Sequence, residues 1–291
     1  MIVVELNAPA TAGDWPALGR LWLDDVPALV MPEIREELRE ARLVPVKVES
    51  PDTVVGVPGT AWGGFHISRY DPGPLRHSTR LFSESALARV LKGMSDPPFG
   101  VTLTLRRLGP EGRETEVEAQ SEAPDEWAQY DVSRWLDRGY AVLRGRLWTA
   151  PFERGTDPRR YQERWVTAVR AAAEQVPVTF GGIGDDERGP TTWDDWFLGS
   201  GAGPGVAAIP PSQAWLRDCW WLTIMGPGIA DRMGGVAGLR ETGLFCDVEE
   251  LPTGSVWCRT TQWYPDFDQA HYARAREVLA PVLAQSATRT V

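Results

Sequence analysis

The sequence predicts an α+β fold made of two tandemly duplicated, ferredoxin-like units, each a layer of strands covered by helices. Three observations predict it. The opening strand candidate, Val3 to Pro9, has a counterpart in Arg144 to Pro151, both closing on Ala-Pro. The order strand, helix, strand, strand, helix, strand, strand, helix can be read twice along the chain, and repeated order is the signature of duplication. A length of 291 residues suits two domains of ordinary size. The units are expected at residues 1–139 and 140–291. Arg144 to Ala150 can pair with either half, so two separate domains and one continuous sheet both stand as arrangements.

In the first half, Ile34, Leu38 and Leu43 give Pro32 to Leu43 a helical stripe with proline in its first turn. Strands follow at 43–49 and 63–70. Ser83 or Ser85 caps a helix that runs to Met94. A hairpin over 99–120 turns at Gly-Pro-Glu-Gly, and a helix from Pro124 to Leu136 closes the unit. The second half repeats this course. Asp157 caps and Pro158 opens a helix to Gln175, striped by Tyr161, Trp165, Val169 and Ala172. Strands at 175–182 and 219–226, short helices over 227–243, a hairpin turning at Leu-Pro-Thr-Gly and a final helix over 265–283 complete it. Trp165, Trp220, Trp221 and Trp257 lie inside these periodic patterns and are expected in the core.

Composition narrows the function classes. The 40 acidic residues exceed the 30 basic ones, for a net charge of -10, which opposes non-specific binding to nucleic acid. The N-terminal MIVVELNAPA lacks the basic segment of a signal peptide, and no stretch approaches the apolar length of a membrane span. A cytoplasmic chain with no membrane partner is the expectation. Cys219, Cys246 and Cys258 sit in apolar runs without a Cys-x-x-Cys pair, so buried free thiols are expected rather than a disulfide or a metal site. Motifs of zinc hydrolases, serine hydrolases, P-loop enzymes and dinucleotide-dependent enzymes are missing, and no cofactor is expected.

Two places invite a functional reading. The segment Gly181 to Pro211 interrupts the matched strands with Asp185, Asp186 and Glu187, then Trp193, Asp194, Asp195 and Trp196. Long irregular loops in compact domains are usually functional or disordered. Tryptophans beside carboxylates suit a protein interface, because the rings supply contact area and the acids steer a basic partner. Packing of these tryptophans onto the chain's own core is the competing reading. A shorter counterpart, Ser50 to Gly64, carries Trp62. The other place is the strand GGFHISRY, where alternation puts His66, Ser68 and Tyr70 on one face. With Arg76 nearby, His66 and Tyr70 would make an enzyme or small-ligand pocket between the halves, against a plain solvated sheet face. His77 reads as a loop residue and His271 as a surface residue on the last helix.

From Asp218 onward the chain shows Gly226-Pro227 after an aromatic strand, Arg232 to Gly235, Leu239 to Phe245, the strand Val256 to Trp263, Pro265 to Asp268, and Leu279 to Leu283 before the C-terminus. This third resembles the type VI immunity family of uncharacterised bacterial proteins. The resemblance implies a non-enzymatic protein that binds and neutralises a cognate toxin inside the producing cell. It carries over no catalytic residue, and the first half follows no such pattern.

Overall fold

The computed structural model describes residues 1–11, 13–40, 48–50, 53–55, 57–70, 75–95, 100–108, 113–115, 127–135, 140–155, 157–185 and 214–284. The chain divides into two compact units. A terminal unit joins Met1–Pro9 to Ala173–Val291, and a central unit is Ala10–Ala172. The expected boundary at 139 and 140 thus falls inside the central unit, and the first strand belongs with the C-terminal part.

In chain order, β1 (Ile2–Pro9) opens the terminal unit. The central unit follows with α1 (Trp15–Arg20), a π turn (Leu21–Asp25), α2 (Val26–Val30), α3 (Pro32–Glu40), β2 (Val48–Ser50), β3 (Thr53–Val55), β4 (Ala61–Tyr70) and β5 (Leu75–Leu81). It continues through α4 (Glu84–Gly93), β6 (Gly100–Arg107), β7 (Arg113–Thr115), β8 (Trp127–Trp135), β9 (Tyr140–Leu147), α5 (Thr149–Arg154) and α6 (Pro158–Ala173). The terminal unit resumes with β10 (Phe180–Asp185), β11 (Leu222–Met225), α7 (Pro227–Asp231), α8 (Gly235–Glu241), β12 (Asp247–Glu250), β13 (Val256–Arg259), a 3-10 turn (Tyr264–Asp266) and α9 (Gln269–Leu279).

The central unit lines its strands up as β9-β8-β6-β4-β5, and β2-β3-β7 form a small separate sheet. Its described strands all pair antiparallel. One face of the five strands is apolar, with Phe65, Val101, Leu103, Leu105, Ala128, Tyr130, Val132 and Leu143 all buried. The π turn rests on β8, and α3 rests on β4 and β6. Trp22 donates its indole N–H to the Arg144 carbonyl at 2.9 Å, and Tyr130 stacks on Trp165 with centroids 5.7 Å apart. Arg35, only 3% exposed, is compensated by Asp24 at 2.7 Å, Glu84 at 3.4 Å and the Phe82 ring beneath it. Ser83 caps α4 by accepting from the Ala86 N–H at 3.0 Å, and Asp157 accepts from the Arg160 N–H at 3.1 Å, as the capping pattern predicts.

Four elements differ from the sequence expectation. The segment expected as a helix over Pro124 to Leu136 contains the strand β8, hydrogen-bonded on both sides to β6 and β9. Its Trp127 and Tyr130 imitate helical spacing, but Ala128, Tyr130 and Val132 recur at every second position, as on the core face of a strand. The expected 99–120 hairpin does not close, since β7 pairs with β3 rather than β6. His77 lies in strand β5 and not in a loop, while residues 15–30 form helices that carry the buried Trp15 and Trp22.

The terminal unit orders its strands β12-β13-β11-β10-β1, again antiparallel. Numbered by position along the chain within each unit, its strands run 1-2-3-5-4 from β1, whereas those of the central unit run 5-4-3-1-2 from β9. The units therefore do not repeat one strand order, and the expected copy of eight elements ends with the helix that is β8. The second hairpin is as expected: β12 and β13 join through a turn in which Gly254 has φ 81°. Val3, Phe180, Trp220, Met225, Ile229, Leu239, Val248 and Leu279 fill the core, and Trp221 and Trp257 are also buried. Glycines in β10 permit close strand approach. Gly182 has φ 149°, and a side chain there would collide with the Leu222 carbonyl, while one at Gly184 would meet the Trp220 ring. No helix among the described residues is long and apolar enough to cross a membrane.

Candidate functional site

The face of the central strands opposite the apolar core carries a band of polar side chains. Register places Thr79, His66, Thr102, Asp131 and Arg144 in one cross-strand row. The next row holds His77, Ser68, Gly100, Ser133 and Val142, and Gln129 pairs with Arg146 on the other side. Period-two alternation produces this division, because Ile67, Val101, Tyr130, Val132 and Leu143, between these positions, are buried on the other face.

At its outer edge, His66 Nε2 lies 3.1 Å from His77 Nδ1, and Ser68 Oγ lies 3.0 Å from the same nitrogen. The two rings stack with centroids 5.0 Å apart. Ser68 and His77 meet the distance of a nucleophile and its base. Among the described residues no carboxylate orients His77, and its side chain is exposed, so water competes for every proton the pair could share. Further in, the Thr102 hydroxyl donates to Asp131, and Arg146 Nε stands 3.9 Å from the other carboxylate oxygen. Asp131, Ser133 and Arg144 are buried. Trp127 stacks on Trp148 at 4.6 Å and Arg106 lies over Trp62 at 5.1 Å. Trp62 is thus a buried strand residue and not part of a counterpart loop.

Of the sequence-predicted trio, His66 and Tyr70 stand on β4 and Arg76 on β5. Arg76 pairs with Arg69, which alternates with His66, so Arg76 occupies the opposite face. Tyr70 pairs through its backbone with Leu75. The residues that do join His66 are His77 and Ser68, with Thr102 and Asp131 along the row. Asp131 escapes detection in the sequence because its strand resembles a helix.

Of the acidic and aromatic segment, Asp185 is described. It ends β10 opposite Ile2, accepts from the Tyr264 hydroxyl at 3.4 Å and lies 3.5 Å from the Met1 amino group. Asp186, Glu187, Trp193, Asp194, Asp195 and Trp196 lie outside the described residues. In the same unit Asp218, fully buried, accepts from Tyr272 at 2.8 Å and Arg276 at 3.0 Å. Cys219 and Cys258 are buried as expected, but Cys246 is exposed, at the entry to β12. Burial pushes all three thiols above the ordinary range, which leaves little thiolate at neutral pH. Among the described residues no group of three or more His, Cys, Asp or Glu side chains could hold a metal ion.

The stretches carrying the type VI resemblance are packing and turn positions. Gly226-Pro227 begins α7, and Gly234 and Gly235 have φ 80° and 65° between α7 and α8. A Cβ at Gly238 would strike the Met233 carbonyl, and Leu239 and Leu279 are core residues.

No family model matches the chain, and no curated protein matches it. Among solved structures, it is similar to the Pseudomonas aeruginosa T6SS protein PA0821, with a TM-score of 0.51 at 14% sequence identity. The likeness covers 97% of this chain and 73% of that one. At this identity the shared property is the mixed α/β fold with its antiparallel strands.

Proposed function

We propose that the protein is a non-enzymatic, immunity-type protein of a bacterial type VI system, which binds and neutralises a cognate toxin in the cytoplasm. The observation that carries this reading is the likeness to a T6SS protein over nearly the whole chain. The motif course of the C-terminal third, which resembles type VI immunity proteins, points the same way. The partner-facing element is the segment Asp185, Asp186, Glu187, Trp193, Asp194, Asp195 and Trp196, rooted at the end of β10. Its carboxylates suit a basic toxin, and its tryptophans suit a buried contact.

Co-expression with each toxin encoded beside the gene, in a sensitive bacterial host, tests the proposal. Growth is expected to be restored by the wild-type chain and lost with the Trp193→Ala, Trp196→Ala double variant, which should stay folded. Failure of the wild-type chain to restore growth against any of them would overturn the reading. Unfolding of the double variant would instead place the two tryptophans in the core and remove them from the interface.

A further inference from the structure

The apolar side of β4 and β5 continues past the core into a small open cleft at the sheet edge, lined by Ile67, Arg69, Ser78, Arg80, Arg89, Val90 and Val101. Its volume is about 90 Å³. The floor is aliphatic: Ile67 and Val101 are cross-strand partners, and Val90 comes from α4. The rim is cationic. Ser78 pairs with Ile67 and Arg80 with Phe65, so both stand on this face, and Arg89 faces them from the helix.

Three arginines around one cavity are unexpected in a chain of net charge -10. Several other arginines of this unit are matched by acids, as Arg35 is by Asp24 and Glu84, and Arg164 by Glu33 at 2.6 Å. Arg80 and Arg89 have no ion pair or hydrogen bond to another side chain among the described residues. Edge strands do carry charge to prevent sheet-to-sheet pairing. That role explains Arg80 on β5 but not Arg89 on α4, nor the aliphatic floor between them.

We propose that this cleft binds a carboxylate carried on a short aliphatic stem, with Arg80 and Arg89 clamping the oxygens and Ile67, Val90 and Val101 receiving the stem. Guanidinium groups match a carboxylate by paired, charge-assisted hydrogen bonds. The floor selects against a bare oxyanion, which would leave the apolar surface covered only by water. The site is independent of the toxin reading and stands whichever partner the acidic segment takes.

The test is titration of the full chain with pentanoate and, separately, with inorganic phosphate, followed through the NMR signals of the arginine Nε–H groups. Pentanoate is expected to shift Arg80 and Arg89 saturably, and Arg80→Gln or Arg89→Gln to weaken it about tenfold, the order of one charge-assisted hydrogen bond lost. Both side chains are exposed, so the variants should retain the wild-type melting temperature; a variant that unfolds is replaced by the corresponding lysine. Absence of a saturable shift would overturn the proposal, and so would phosphate binding as tightly as pentanoate, because the floor would then contribute nothing.

Discussion

Tyr272 donates its hydroxyl to Asp218 at 2.8 Å, and Arg276, one turn further along α9, reaches the other carboxylate oxygen at 3.0 Å. The carboxylate has no exposed surface, so α9 is fixed to the segment before β11 by a charge that water cannot reach. Burial raises the Asp218 carboxyl above its ordinary value, outweighing the hydrogen bonds from the Cys219 backbone, Tyr272 and Arg276. Burial also lifts the Tyr272 hydroxyl to about 12, so it remains a donor at neutral pH.

The sign of the pH effect follows. A carboxyl with a raised folded pKa holds its proton more tightly in the native state than in the unfolded one. Its contribution is complete below the ordinary carboxylate value and is lost as pH rises through the folded value. Wild-type stability should therefore fall relative to Asp218→Asn as pH rises above about 4 in urea unfolding. A gap that stays constant with pH, or widens in favour of wild type, would contradict this account. Tyr272→Phe should cost about 1.5–3 kcal/mol at neutral pH, the range for a hydrogen bond to a charged group.

Gly182 gives a prediction about backbone. Its φ of 149° is rarely adopted by a residue with a side chain, and a Cβ would collide with the Leu222 carbonyl. Gly182→Ala should cost about 3 kcal/mol or more, because strain and overpacking add. Gly228→Ala is the comparison, since nothing lies within 4 Å of its Cβ position in α7. Thermal melting should show a large drop for the first and little change or a small gain for the second. Equal shifts would place the effect elsewhere.

Arg35 tests whether the central unit depends on its buried cation. Its guanidinium lies between Asp24 and Glu84 and over Phe82. Arg35→Ala should lose about 1–3 kcal/mol, less than for a fully buried pair because Asp24 and Glu84 stay in contact with water. A loss below about 0.5 kcal/mol would show that it behaves as an ordinary surface residue.

The thiols predict a labelling pattern. Cys219 and Cys258 are buried and Cys246 is exposed. A neutral alkylating reagent should modify Cys246 alone in the folded protein, and slowly, since its thiol is also raised by burial. Rapid modification of all three before unfolding would be inconsistent with the fold of the terminal unit.

The elements legible in the sequence are those whose local signals agree with their surroundings. The stripe and Asp157 cap announce α6, Ser83 announces α4, and Pro-Thr-Gly announces the β12–β13 turn. Trp165, Trp220, Trp221 and Trp257 are core residues because apolar periodic patterns contain them. Strand β8 is masked because Trp127 and Tyr130 recur at helical spacing after an Asp that could start a helix, although Ala128, Tyr130 and Val132 alternate with Gln129, Asp131 and Ser133 as a strand requires. Strand β5 was hidden because Arg76, His77, Ser78, Thr79 and Arg80 offer no apolar alternation at an exposed edge. These two strands also carry the sites. Without β5, neither the His66–His77 contact nor the Arg80–Arg89 cleft can be drawn, and without β8 the row from His66 to Asp131 has no far end. The mismatch of strand order reflects pairing between distant segments, which short resemblances such as the two Ala-Pro steps do not encode.

The most direct test of the central claim is calorimetric titration of the purified chain with the purified toxin encoded beside its gene. The account predicts a saturable one-to-one complex with abolished toxicity, and at least tenfold weaker binding by the Trp193→Ala, Trp196→Ala variant. A toxin that remains active and unbound in the presence of excess wild-type chain would contradict it.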